Sequence, residues 1–304
     1  MIQTVWSTAT PEVNSTMSKI TVTALQIPVS DYIDTNYKTL KRNLIAHKTS
    51  DWILTPECSL SGYCQPPVIE KMDQRAEQRY FERLEELEDF QATQRAGFIL
   101  GTGHVERDGL PYNQARVYNR DGHLISTYNK QLLCRGPNGG GETKYYLPGY
   151  EPSYFYADAN QEFLASTLIC NDAWGTPRVT PGGNPQLGWQ LGRQGVAVLF
   201  VLANCNVHTF DPIVYAYHES VLRQMARDNS MWVVVSNSSL AMGMGPQDVY
   251  PKDRELEFKA IDRVQLTSGI IAPNGDWAAW CDDSGEDSVT MEIDLGVQHN
   301  DFPF

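Results

Sequence analysis

Apolar positions along the chain fall into short runs separated by polar or amphipathic stretches, and the two kinds alternate for most of its length. Ile20-Thr21-Val22-Thr23-Ala24-Leu25 reads as a strand, Tyr37 to His47 as an amphipathic helix, and Trp52-Ile53-Leu54-Thr55 as a second buried strand, the order of a βαβ unit. Asp73 to Arg95 is dense in Glu, Arg and Gln and places Tyr80, Phe81, Leu84, Leu87 and Phe90 on one helix face, which predicts a long surface helix. Phe98 to Gly101 reads as a strand. Ala115 to Tyr118 and Leu124 to Tyr128 flank Asn119-Arg120-Asp121-Gly122, whose Asp-Gly marks a hairpin turn. Phe163 to Ile169 predicts a strand that runs directly into Cys170-Asn171-Asp172, so that thiol sits where a strand ends and the chain turns sharply. Val196 to Leu202 is a fully buried strand, Val214 to Asn229 a helix and Met231 to Ser236 a strand. Ser268 to Ala272 and Trp277 to Trp280 form a last hairpin around Pro273-Asn274-Gly275-Asp276.

The first stretch, Met1 to Ser18, is rich in Thr, Ser, Pro and Asn without an apolar period and is expected to be a tail, residues 19–304 forming one mixed α/β domain. At 304 residues and 41% hydrophobic, the chain can bury a sizeable core. A net charge of −13 argues against nucleic acid or an anionic membrane as partner, since both need a basic surface, and favours a small-molecule ligand. The longest apolar run, Val196 to Ala203, is far too short to span a bilayer, and no basic segment with a long apolar core opens the chain. Six scattered cysteines lack the dense framework of a small secreted domain and read as reduced thiols, so a cytoplasmic location is expected.

Three segments each place a reactive side chain at the end of an apolar strand, where α/β folds gather functional groups. They are Leu54-Thr55-Pro56-Glu57, Tyr128-Asn129-Lys130 and Leu168-Ile169-Cys170. A carboxylate, an ammonium and a thiol are a chemically complete set for acyl transfer: Glu57 to accept the thiol proton, Cys170 to attack a carbonyl, Lys130 to hold the oxyanion. Taken singly, each has an ordinary structural reading: a capping carboxylate, a surface lysine, a small core cysteine. Cys205 and Cys281 are read as core residues, while Cys58 and Cys64 flank the Glu57 segment without the histidines a zinc site needs. The histidines form no His-Glu-x-x-His pattern, no Gly-x-Ser-x-Gly elbow is present, and Gly136 to Glu142 lacks a phosphate-binding Gly-Lys-Ser/Thr ending. Gly101-Thr102-Gly103 is too short for such a loop.

In order and local sequence, the segments resemble the nitrilase, or carbon-nitrogen hydrolase, superfamily. The likeness runs from about Lys19 to Leu295 and takes in Gln26, Pro56-Glu57 with Gly62-Tyr63, Tyr112-Asn113, Lys130-Gln131-Leu132, Leu147-Pro148-Gly149, Ile169-Cys170 and Pro273-Asn274-Gly275. The resemblance implies a four-layer αββα sandwich of two mixed sheets flanked by helices. It implies Glu57 as general base, Lys130 as oxyanion stabiliser and Cys170 as covalent nucleophile, with the backbone N–H of Asn171 completing the oxyanion hole. Glu142 resembles the family's second glutamate, which orients the lysine. A lysine beside the thiol would favour thiolate, and two carboxylates would keep that lysine charged. No metal or organic cofactor is implied, and a homodimer or larger homo-oligomer is expected through the helices after the nucleophile strand and over Val214 to Asn229.

Departures from the family pattern bear on the reaction. Cys170-Asn171-Asp172 stands where nitrilases show Cys-aromatic-Glu, which favours amidase-type chemistry on a small amide over nitrile hydrolysis. N-carbamoyl hydrolysis with the same three residues stays open, as does a catalytically silent binding protein of the same fold. Without membrane segments an acyltransferase role on lipoproteins is not expected, and without an ATP-handling domain neither is a complete glutamine-dependent NAD synthetase. Tyr63, Trp174 and Asn204 are candidate substrate contacts; for Trp174 core packing, and for Asn204 a strand-end cap, are equal alternatives.

Overall fold

The computed structural model describes residues 19–30, 32–63, 74–106, 109–135, 141–177, 179–180, 183–205, 210–239 and 263–296. The expected tail, Met1 to Ser18, and Cys64 lie outside them. Among the described residues the chain forms β1 (Lys19–Ile27), α1 (Ile33–Ala46), β2 (Trp52–Leu54), α2 (Gln74–Gln94), β3 (Gly97–Val105), β4 (Pro111–Tyr118) and β5 (Leu124–Asn129). It continues through β6 (Phe155–Tyr156), β7 (Leu164–Ile169), α3 (Asn171–Trp174), α4 (Leu187–Arg193), β8 (Val196–Ala203), α5 (Pro212–Asp228), β9 (Trp232–Ser238), β10 (Gly269–Ile271), β11 (Trp277–Trp280) and β12 (Asp287–Asp294).

Two sheets result, β5-β4-β3-β2-β1-β12 and β6-β7-β8-β9-β10-β11. Among the described residues they are joined where the ends of β1 and β9 pair, Gln26 with Asn237 and Ile27 with Ser238, which links all twelve strands by continuous hydrogen bonding. Parallel pairing of β1 with β2, β2 with β3, β7 with β8 and β8 with β9 accounts for the near-continuous apolar runs, because these strands are buried on both faces. The inner faces meet in one core in which Trp52 packs on Phe155 (5.0 Å between ring centroids) and Phe200 (6.2 Å), surrounded by Val22, Leu54, Ile99, Leu168 and Val201. On the outer face of the first sheet, Leu25, Ile53, Phe98 and Leu100 bury against Leu40 and Leu44 of α1 and Tyr80, Leu84 and Leu87 of α2. α4 and α5 cover the second sheet, giving the four-layer αββα sandwich.

The hairpin at Asp121-Gly122 forms as expected, β4 and β5 pairing antiparallel. β12 was not among the expected strands although Val289, Met291 and Ile293 alternate with Ser288, Thr290 and Glu292; it pairs with β1 from Lys19–Asp294 to Gln26–Asp287 and covers an edge that would otherwise be open. α4 and the two-residue β6 are too short to leave a periodic signal. Among the described residues no helix is long and apolar enough to cross a membrane, and Cys58, Cys134, Cys170, Cys205 and Cys281 are free thiols.

Candidate active site

The C-terminal ends of β2, β7 and β8 converge, and the end of β8 is the shared anchor. Its Leu202 carbonyl accepts from the Cys170 N–H (2.7 Å) and its Ala203 carbonyl from the Glu57 N–H (3.2 Å), so one strand end fixes the backbone of both residues across the two sheets. Glu57 opens a tight turn after β2 that lies directly on β3. A Cβ on Gly101 would stand 2.3 Å from the Pro56 oxygen and 2.9 Å from the Glu57 Cα, so the Gly-Thr-Gly segment of β3 serves close backbone approach. Cys170 has φ 50° and ψ −109°, an outlying conformation for a residue with a side chain, where β7 breaks into α3.

Glu57, Lys130 and Glu142 are fully buried. The Lys130 Nζ donates to Glu57 Oε1 at 2.6 Å and to Glu142 Oε1 at 2.8 Å. Glu142 stands in a single 3-10 turn, Glu142–Lys144, which carries it back to the lysine twelve residues earlier in the chain. Asn113 of β4 repeats the bridge: its Nδ2 donates to Glu57 Oε1 (2.7 Å) and Glu142 Oε1 (2.9 Å), while its own backbone carbonyl accepts from the Lys130 N–H (2.8 Å). Cys58 donates its thiol to Asn113 Oδ1 at 3.6 Å. The remaining oxygens of the two carboxylates differ. Glu142 Oε2 accepts from the Cys134 N–H at 2.7 Å, whereas Glu57 Oε2 is buried without a hydrogen-bond partner among the described residues.

Electrostatics follow from this packing. Burial, with help from the Glu142 charge and against the pull of Lys130, raises Glu57 to about 7. Burial alone would lower Lys130, but Glu142 and Glu57 together hold it well above the ordinary lysine value, so it stays charged as expected. The expectation for the thiol is revised. Lys130 does pull Cys170 down, but burial and the Glu57 charge outweigh it and raise the thiol well above its ordinary value. Burial therefore favours the protonated thiol over the thiolate.

Asn171 begins α3, where a helix N–H has no intrahelical acceptor. Asn204, directly after β8, is 1% exposed, and neither its Oδ1 nor its Nδ2 has a partner among the described residues, which is not what a strand-end cap would show. Trp174 follows its packing alternative: the indole is fully buried and stacks on His218 with ring centroids 4.2 Å apart, and its carbonyl accepts from the Tyr217 hydroxyl (2.8 Å). Tyr63 is half-buried at the edge of the described chain. Cys205, read as core filling, is half-buried beside the site, its N–H and thiol both on Asn237 Oδ1 (3.2 and 3.8 Å). Asn113 had been noticed only as part of the Tyr112-Asn113 pair; its position opposite Lys130 on a hairpin was the signal that it would face the same carboxylates. No cluster of His, Cys, Asp and Glu suited to a metal occurs among the described residues. A cavity of about 940 Å³ lies at the opposite end of the sandwich among Lys19, Asp51, Trp52, Arg120 and Tyr154. Its Asp51 and Arg120 are already paired at 2.9 Å.

The family model for carbon-nitrogen hydrolases matches residues 21–298. This chain belongs to the carbon-nitrogen hydrolase family. Among curated proteins, this hydrolase chain is similar to the glutamine-dependent NAD(+) synthetase of Aquifex aeolicus (strain VF5), with 27% identity over 292 residues, covering 92% of the chain and 43% of that protein. It thus spans less than half the length of the curated relative. Among solved structures it superposes on the carbon-nitrogen hydrolase of Helicobacter pylori G27 with a TM-score of 0.69 at 19% identity, covering 92% of this chain and 90% of that one. An amidase of Nesterenkonia sp. AN1, solved with the acetamide moiety of fluoroacetamide added covalently at the active-site cysteine, matches with a TM-score of 0.68 at 14% identity, covering 91% of each chain. These two likenesses establish the shared αββα fold.

Proposed function

We propose that this carbon-nitrogen hydrolase cleaves the C–N bond of a small amide, with Cys170 as nucleophile, Glu57 as general base and Lys130 as oxyanion stabiliser. The observation that carries this reading is the divided carboxylate of Glu57: Oε1 is held by Lys130 and Asn113, while Oε2 is buried, without a partner among the described residues, on a group poised near neutral pH. Glu57 takes the Cys170 proton as sulfur bonds to the carbonyl carbon. The negative charge on the carbonyl oxygen is met by the third N–H of Lys130 and the backbone N–H of Asn171. Collapse breaks the C–N bond; Glu57 returns its proton to the leaving ammonia, and a thioester remains on Cys170. Glu57 then takes a proton from water, which adds to the thioester and frees the acid and the thiol. Asn204, whose amide carries an unmet donor and acceptor, suits a substrate amide. A homo-oligomer built on α5, where Ile213 is 79% exposed, belongs to the same proposal.

A second reading rests on the similarity to the NAD synthetase of A. aeolicus: the amide is the side chain of glutamine and the ammonia feeds a synthetase. One screen addresses both. Ammonia release and product mass are followed over small aliphatic amides, glutamine, N-carbamoyl compounds and nitriles, for the wild-type protein and Cys170→Ala. At least one amide should yield its acid with one water consumed, and Cys170→Ala should lose the activity by roughly four orders of magnitude or more. Glutamine as the best substrate supports the second reading. Retained turnover in Cys170→Ala refutes the nucleophile. No turnover on any compound, with no thiol-reagent adduct at Cys170, would point to the silent binding protein.

A further inference from the structure

Asp172 takes no part in the bond changes above, yet its buried carboxylate joins the two segments that carry Cys170 and Lys130. Oδ1 accepts from the backbone N–H groups of Leu132 (2.6 Å) and Gln131 (3.1 Å). Oδ2 accepts from the Tyr128 hydroxyl (2.9 Å), from the Ile169 N–H (3.3 Å) and, at 3.4 Å, from the same Gln131 N–H. The neighbouring Asn171 completes the grip, its Nδ2 donating to the Leu132 carbonyl at 3.0 Å. The turn after the nucleophile therefore holds both polar groups of the Leu132 peptide, as a strand partner would, although no strand is present there. Lys130 lies one residue before this grip. Two residues beyond it, the Cys134 N–H holds Glu142. Elbow, lysine and second glutamate thus form one connected frame.

We propose that Asp172 is the positioning residue that sets the Cys170 sulfur against the Lys130 ammonium, by clamping the Gln131-Leu132 backbone onto the nucleophile turn. Every partner of its side chain is a donor, so the site calls for a group that only accepts, which a carboxylate is and an amide is not. Burial raises Asp172 to about 6, against the pull of Lys130 and the donors of Leu132, Tyr128 and Ile169, so the charged form prevails at neutral pH. Asparagine would fill the same volume but turn an NH₂ toward N–H or O–H donors.

The turnover part of the proposal rests on the amidase reading, but the clamp can be tested without a substrate. Iodoacetamide alkylation of Cys170, followed by peptide mass, is compared for wild type, Asp172→Asn and Tyr128→Phe, together with thermal melting and, on the best amide found, kcat and KM separately. Asp172→Asn should slow alkylation of Cys170 at least tenfold and lower kcat at least a hundredfold while KM stays within threefold. Tyr128→Phe, which removes one donor and leaves the backbone ones, should slow both rates about threefold. A folded Asp172→Asn protein with both rates within threefold of wild type overturns the proposal. If Asp172→Asn does not fold, Tyr128→Phe decides: wild-type rates overturn the clamp, and a threefold loss at unchanged KM supports it. A wild-type protein that turns over no amide, yet whose Cys170 alkylation slows tenfold in Asp172→Asn, removes the amidase reading and leaves the clamp standing.

Discussion

The turn that carries Glu57 and the turn that carries Glu142 deliver chemically identical groups to the same two partners, and the difference between them lies in one oxygen each. Both Oε1 atoms touch the Lys130 Nζ and the Asn113 Nδ2. The Glu142 turn closes over its own Oε2 with the Cys134 N–H; the Glu57 turn, pressed onto Gly101 of β3 and tied to the end of β8, leaves Oε2 without a partner among the described residues. A buried carboxylate with both oxygens engaged is held in place by its donors, and one with a spare oxygen can accept a proton. One lysine between two carboxylates also leaves the cluster with a surplus negative charge, which favours a proton on the less engaged of the two. Sequence type alone does not tell the two carboxylates apart; their hydrogen bonding does.

Exchanging each carboxylate for its amide is the most severe way to break this comparison. Glu57→Gln should lower kcat by roughly a thousandfold, within the range general bases contribute, with little change in KM. Glu142→Gln keeps an acceptor for Lys130 and should cost roughly ten- to a hundredfold, since it weakens a charge-assisted contact without removing the base. Both are read from initial rates on the best amide in the screen. Equal losses, or a milder effect at Glu57, would sink the assignment of base and orienting charge.

This contrast marks the limit of what the sequence made legible. Apolar runs predicted most of the sheet and the long helices, because buried parallel strands and amphipathic helices write their environment into composition. Strand ends likewise pointed to Glu57, Lys130 and Cys170, and the resemblance to the family supplied Glu142. Asp172 escaped as a functional candidate because its role consists of contacts to backbone atoms of another segment, whose proximity no local pattern encodes, whereas Asn113 lay within reach of the hairpin register that sets it opposite Lys130. The upward push of burial on the Cys170 thiol was illegible for a related reason: spacing shows that a lysine is near, but not that burial outweighs it.

The pH profile sharpens the comparison with a smaller effect. Glu57 is raised to about 7 and, as the proposed base, would act only when ionised, so kcat/KM should climb about tenfold per pH unit below 7 and level off above it. Glu142 is one cause of that elevation, through repulsion between the two charges. Removing it in Glu142→Gln should move the midpoint to lower pH, while Asp172→Asn should leave Glu142's contribution in place. Rates measured between pH 5 and 9 decide the matter; a midpoint that stays put or moves to higher pH in Glu142→Gln would mean that the Glu142 charge is not what raises Glu57.

Gly101 offers the mildest perturbation, because it touches the Glu57 turn from beneath without changing any charge. A methyl group there meets backbone, the Pro56 oxygen and the Glu57 Cα, and neither can swing aside as a side-chain end could. Gly101→Ala should therefore lower stability by about 1–3 kcal/mol, seen as a fall in Tm, and displace Glu57 while leaving the Glu142 turn alone. The kinetic signature follows from that asymmetry. kcat should fall by less than in Glu57→Gln, and the pH midpoint should shift because the Lys130 and Asn113 contacts to Oε1 loosen on one carboxylate only. An unchanged Tm would mean that β3 yields to the methyl group, and that the tight approach of this strand does not hold the base in place.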